Sequence, residues 1–365
     1  MADIDDLKPG DEVPPTGDEA PSSGPKRTGI GALLLRWEVL LLVLLGGTIA
    51  YGASVSPYFL HSTNLFYICL NVGEVAIMAL PLTLIVVTGE IDLSVASMLG
   101  LSGVLMAELF KHGWPIWPAM IMAVVLGAVL GAVNGFLITR IGLPSLAVTI
   151  GTLTLYRGIA QGILPTDTIG GFPTDLASIG VVPIPHTHIP YSIAFFLALA
   201  VVFGIVLHAT PLGRAIFAIG AGQEAAFFAG IRVKRIKFWL FVLSGALCGF
   251  AGVLWTLRFA SARYDAGVGT ELFVVTIVLL GGISIFGGRG TIAGVVIAVA
   301  VLGCLQTALT ADLIPAQDQN IVVGVLLIAS VIVPNAGDLY RRARTRLQSA
   351  AARRHAAAAA QAEGQ

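Results

Sequence analysis

Residues 191–209, YSIAFFLALAVVFGIVLHA, then 210–237, TPLGRAIFAIGAGQEAAFFAGIRVKRIK, then 238–257, FWLFVLSGALCGFAGVLWTL, decide how this chain folds. The two outer runs each hold the roughly 20 apolar residues that a helix needs to cross a bilayer. The segment between them is polar and basic, with Arg214, Arg232, Lys234, Arg235 and Lys237. It reads as a handle joining two crossings. Gly220 and Gly222 precede Gln223-Glu224-Ala225-Ala226-Phe227-Phe228-Ala229 and Gly230 follows, so glycine hinges bracket a short helix. Glu224 falls in its first turn, where the helix dipole favours an anion. Phe227 and Phe228 are too apolar to face free water, so this helix either lies on the bilayer surface or inserts its rings into a partner.

Composition extends this reading to the whole chain. Hydrophobic residues make up 56% and charged residues 12%, with a mean hydropathy of +0.89, against roughly 25% charged in soluble proteins. The class is an integral membrane protein. The formal net charge is zero and the basic residues gather at the ends of apolar runs, which excludes a nucleic-acid groove. Cys69, Cys248 and Cys304 stand singly in apolar runs, without metal or redox spacing. Residues 1–35 are polar and acidic and read as a disordered tail, and residues 341–365 as a basic then Ala-rich tail beside anionic lipid.

Ten apolar runs emerge between the tails, at 37–56, 65–88, 92–110, 115–139, 146–163, 191–209, 236–257, 271–287, 291–311 and 320–339. Every backbone polar group must be paired in lipid, and the alternating pattern of a membrane barrel is missing, so the expected fold is an all-α polytopic membrane protein of about ten transmembrane helices. With both termini cytoplasmic, seventeen of the 21 Lys and Arg residues fall on the inner side, as the positive-inside rule demands. Small residues at Gly127, Gly131, Gly135 and at Gly245, Gly249 have the spacing that lets helix backbones approach. The fourth and ninth runs share a Gly/Ala/Val-rich character and run oppositely, which fits an inverted repeat or merely a shared composition.

Candidate chemistry is sparse. GISIFGG (282–288) imitates a phosphate loop but places Gly288 where the lysine must stand, so it reads as a tight inner turn. Glu74 and Arg157 are ionisable residues within apolar runs and hence candidates for a pathway. Glu74 is too short to reach water and should face a cavity or partner. Arg157 either pairs inside the bundle or snorkels to an interface. In Thr88-Gly89-Glu90-Ile91-Asp92-Leu93-Ser94, Asp92 or Ser94 should cap the following helix, and proton coupling through Asp92 is the sharper alternative.

Four stretches resemble a known family: GEIDLSVAS (89–97), GLPSLAVTIGTLTLYRGIA (142–160), residues 210–245, and ELFVVTIVLLGGISIFGGRGTIAG (271–294). They are similar to permease subunits of bacterial monosaccharide ABC importers, the ribose/xylose/rhamnose/autoinducer-2 group, and most to the rhamnose type. The resemblance covers roughly Asn64 to Pro334 in consistent order. It implies a permease domain over residues 36–340 in the bacterial inner membrane, working as a homo- or heterodimer. It also implies cytoplasmic ATPase subunits that carry ATP and Mg, an extracytoplasmic sugar-binding protein, and no enzymatic activity or cofactor on this chain. Gln223, Glu224, Ala225, Ala226, Phe227 and Gly230 then correspond to the helix that couples to the ATPases. Glu90 stands where the family's GGIDLS version often has glycine. The alternative reading is a proton-coupled secondary transporter acting alone through Glu74 and Asp92.

Overall fold

The computed structural model describes residues 37–333, so both tail assignments, and residues 334–339 of the last expected span, lie outside the described residues. The described chain is helical throughout, without a strand beyond two isolated bridges. Its helices are α1 (Trp37–Val55), α2 (Ser62–Val87), α3 (Val95–Lys111), α4 (Ile116–Phe136, prolonged by a π turn to Ile141), α5 (Ser145–Ile163), α6 (Thr174–Ile179) and α7 (Tyr191–Ala209). After these come α8 (Pro211–Ala221), α9 (Gln223–Phe228), α10 (Val233–Arg258), α11 (Thr270–Leu280), α12 (Ile292–Ala311) and α13 (Ala316–Val333).

Seven of them, α1, α2, α4, α7, α10, α12 and α13, are long and apolar enough to cross a membrane. Three of the ten expected spans fall outside that set. The run at 92–110 is the 17-residue α3, and the run at 146–163 is α5, which carries Arg157 and three threonines. The run at 271–287 is corrected most: α11 has only 11 residues, about 16 Å at 1.5 Å per residue, roughly half of a hydrocarbon core. Residues 281–287 belong instead to a glycine turn, whose Ile283 is apolar because it is buried against the bundle.

α2 is the axis of the bundle and is almost wholly buried, whereas α1 and α13 leave most of their length uncovered. It runs through Pro81 without a break. α10 packs on α2, α3 and α4. Its approach to α4 depends on the spaced glycines: a Cβ on Gly127 or Gly131 would overlap the Gly245 or Phe241 carbonyl oxygen. Without side chains there the backbones gain close dispersion contact, the force available to helices in lipid.

Two non-helical segments enter the bundle from opposite ends. Residues 88–94 lead into α3, and their Ser94 touches Asn134, seven residues and about 10 Å from the end of the α4 π turn. Residues 259–269 lead into α11 from the other side. Irregular backbone at such depth survives only when buried in protein with its polar groups paired. The pairing is supplied by α5.

Candidate functional site

At one end of the bundle α7 stops at Ala209 and α8 begins at once. Thr210 accepts a hydrogen bond from the Gly213 amide at 3.3 Å and Pro211 occupies the first helical position, a strong start signal. The handle therefore holds two helices, where the sequence reading had one. Gly220 is no hinge: it lies inside α8, where a Cβ would overlap the Val87 carbonyl oxygen and the Gly288 amide.

Gly222 then turns the chain into α9. Six residues are too few for a helix to persist unaided. Here the end is locked by Gly230 (φ 83°), with the Gly230 amide donating to Phe227 O and the Ile231 amide to Ala226 O, both at 3.0 Å. Ala226 anchors the underside against Ile219 and Val233. Gln223, Glu224, Ala225 and Phe227 are exposed, and Phe228 beside them is 85% exposed. Next to α9 opens a groove of about 990 Å³ that includes Phe227, Trp239, Arg140, Arg232, Lys234 and Arg235 and has no acidic residue in its lining.

Lys237 joins this knuckle to the bundle. Although it closes the basic run, it is 4% exposed. Its Nζ donates to Gln223 Oε1 at 2.8 Å and to Glu90 Oε1 at 2.5 Å. One ammonium thus connects the first residue of α9, the start of α10 and the segment after α2. A second link lies beside it, where the Gly288 amide donates to Val87 O at 2.9 Å. The glycine turn at 281–291 is consequently a fitted wedge on the ends of α2 and α8. Glu90, expected along a pathway, sits in this ion pair. Sequence reasoning placed Lys237 in the basic handle and missed its pairing; the available signal was its place inside the apolar run at 236–257.

Beyond Glu90 the chain runs extended into the bundle. The Ile91 amide donates to Ser145 Oγ at 3.2 Å and Thr149 Oγ1 donates to Ile91 O at 3.3 Å, so the first turns of α5 satisfy this backbone. Asp92 is fully buried, and its Oδ1 accepts from the Ser94 amide and hydroxyl at 2.9 and 2.6 Å. Asn134 Nδ2 donates to Ser94 Oγ at 2.8 Å. The expected capping is corrected: Ser94 occupies the cap position of α3 without a side-chain bond to it, and Asp92 instead shapes the turn before it.

Glu74 and Arg157 are held by different partners. Glu74 Oε2 pairs with Arg258 Nη1 at 3.0 Å, and Arg258 also donates to Leu70 O and Asn71 Oδ1. Arg157 extends into the bundle and donates to Tyr264 O, Ala266 O and Ala96 O at 2.5, 2.7 and 3.2 Å. One guanidinium clamps the 259–269 loop to the first turn of α3. The four polar candidates Glu74, Glu90, Asp92 and Arg157 do not form a single cluster of contacts. Glu90 and Asp92 hold the 88–94 segment and Arg157 the 259–269 loop, whereas Glu74 ties α2 to the end of α10.

Comparison with known proteins agrees with this architecture. Residues 64–331 match the family model described as branched-chain amino acid transport system / permease component. The autoinducer 2 import system permease protein LsrD of Salmonella typhimurium (strain LT2) is 34% identical over 305 residues, covering 81% of this chain and 90% of that protein. LsrD of Escherichia coli (strain K12 / DH10B) is 35% identical over 315 residues, covering 84% and 94%. No solved structure matches. The match spans both irregular segments, the α8–α9 knuckle and all but the first of the seven long apolar helices, and the chain belongs to this permease family of bacterial ABC importers as a multi-pass inner-membrane protein.

Proposed function

We propose that the chain is the membrane-spanning subunit through which a monosaccharide or sugar-like ligand, of rhamnose or ribose type, is imported by alternating access driven by separate ATPases. The α9 end is cytoplasmic, which places seventeen of the 21 Lys and Arg residues inside. ATPase subunits carrying ATP and Mg grip α9 through Phe227, Phe228 and the basic groove beside it. A second permease subunit and an extracytoplasmic binding protein complete the importer. The relatives named as autoinducer 2 import permeases support import as the direction of transport.

The observation that carries the proposal is the Lys237 bridge between Gln223 on α9 and Glu90 beside α2. A displacement of α9 pulls directly on the segment leading to α3, and through Ala96 and Arg157 on the opposite loop. The proton-coupled alternative is weakened by Glu74, which is held in an ion pair with Arg258. The test is binding of the partner ATPase to the purified permease with Glu224→Arg or Gly230→Pro. The proposal expects weakened binding together with lost ATP-dependent uptake, and normal binding with normal uptake in both variants refutes it.

A further inference from the structure

The loop of residues 259–269 has an inner and an outer aspect. Arg157 takes the Tyr264 and Ala266 carbonyls from within. Outside lies a cavity of about 380 Å³ with Trp255, Phe259, Ser261, Arg263, Asp265 and Thr270 in its wall. Trp255 and Phe259 lie side by side, their ring centroids 5.1 Å apart and their planes tilted by 41°; Phe259 is half exposed, with the Arg258 guanidinium over its ring at 5.1 Å. Facing the same cavity, Arg263 Nε and Nη2 donate to Asp265 Oδ1 and Oδ2 at 2.9 and 2.7 Å, a planar fork of two bonds. Both side chains remain open, at 60% and 37%. Ser261 lies in the same wall, half-buried.

This wall has a definite chemical preference. The Arg263 and Asp265 charges cancel, so a phosphate or carboxylate ligand would find its cation already occupied and a carboxylate beside it. An apolar ligand would leave the fork and the Ser261 hydroxyl without partners to gain from. A neutral ring with one C–H face and a rim of hydroxyls satisfies both halves: the face stacks on Trp255 and Phe259, and a pair of adjacent hydroxyls bridges the Asp265 oxygens and the Arg263 N–H groups that the fork leaves free. The volume is at the small end of ligand pockets, enough for one sugar ring with its water.

We infer that this cavity is a transit subsite for a single neutral monosaccharide ring at the mouth of the permease, with Phe259 and Asp265 its main contacts. The inference rests on the transport reading above and deepens it. The subsite lies on the loop that Arg157 fastens to Ala96, so its walls move with the α3 break that Lys237 and Glu90 connect to α9.

The direct test is saturation-transfer NMR on the purified full-length chain in lipid nanodiscs, with D-ribose, D-xylose and L-rhamnose as millimolar probes. Wild type should transfer saturation to the ring C–H protons of at least one sugar. Phe259→Ala and Asp265→Asn should each reduce that transfer about fivefold or more, the scale of one lost contact, while Phe259→Tyr retains it. Thermal unfolding of each variant checks that the bundle is intact. Equal transfer in wild type and both disruptive variants, or no transfer to any of the sugars in wild type, overturns the subsite. A parallel arm measures ATP-driven uptake of the same sugars by the assembled wild-type importer. If uptake fails while saturation transfer stays dependent on Phe259 and Asp265, the transport reading falls and the subsite stands.

Discussion

Lys237 Nζ lies 2.5 Å from Glu90 Oε1, although 147 residues separate the two in the chain, and the lysine is almost wholly buried. A buried ammonium is costly unless its charge and its donors are matched. Here Glu90 matches the charge and Gln223 takes a second donor. The pair is thus a structural rivet that also couples α9 to the core of the bundle.

Lys237→Met removes the cation and leaves Glu90, only 17% exposed at its side chain, without its partner. The expected cost is near the lower end of the ~3–5 kcal/mol typical of a broken buried pair. ATP hydrolysis by the assembled importer should continue while sugar uptake falls at least about tenfold. The exchange Lys237→Glu with Glu90→Lys should recover part of both stability and uptake. Thermal unfolding and paired uptake and hydrolysis assays read these outcomes.

Gly220→Ala puts a methyl group into the Val87 carbonyl oxygen and the Gly288 amide, all of them backbone and unable to rotate away. Overpacking of this kind costs ~1–3 kcal/mol. Thermal unfolding should show that loss, and uptake should fall with it. Gly151→Ala, where nothing within the described chain lies within 4 Å of the added carbon, should be neutral or slightly stabilising.

Arg157→Gln cannot reach the three carbonyls that the guanidinium satisfies, and each buried acceptor left unpaired costs ~1–3 kcal/mol. The 259–269 loop should loosen before the helices do. Hydrogen exchange should rise at residues 259–269 and in the first turn of α3, with α4 and α7 unchanged.

Transport should be flat with pH where the proton-coupled alternative would make it steep. The hydrogen bonds from Arg263 hold the Asp265 carboxyl below its usual range, and Asp265 in turn raises Arg263. A depressed carboxylate stabilises above its ordinary pKa of ~3.9 and loses that contribution only as pH falls through its lowered value. Sugar binding and uptake should therefore change little between about pH 5 and 8, and a proton ionophore should leave ATP-driven uptake intact.

Much of the scaffold is legible in the sequence because bilayer thickness sets helix length. The runs predicted at 191–209 and 291–311 become Tyr191–Ala209 and Ile292–Ala311. The run at 271–287 misled because apolar residues of a buried turn look like those of a crossing. α8 was hidden for the opposite reason, since Arg214 within a polar handle masked a helix that buries only Ile216 and Ile219 of its larger side chains. The position of α9 was readable from the glycines around it. The partners of Glu74, Glu90 and Arg157 were not, because Arg258, Lys237 and the Tyr264 and Ala266 carbonyls come from distant parts of the chain, and no local pattern encodes such pairings.

Accumulation of radiolabelled sugar in reconstituted vesicles tests the central claim most directly, comparing this chain alone with the chain assembled with its ATPase and binding protein. The account predicts uptake only by the assembled importer and only with ATP on the α9 side, abolished by Gly230→Pro in complexes that still assemble. Accumulation by the chain alone, driven by a proton gradient without nucleotide, would contradict it.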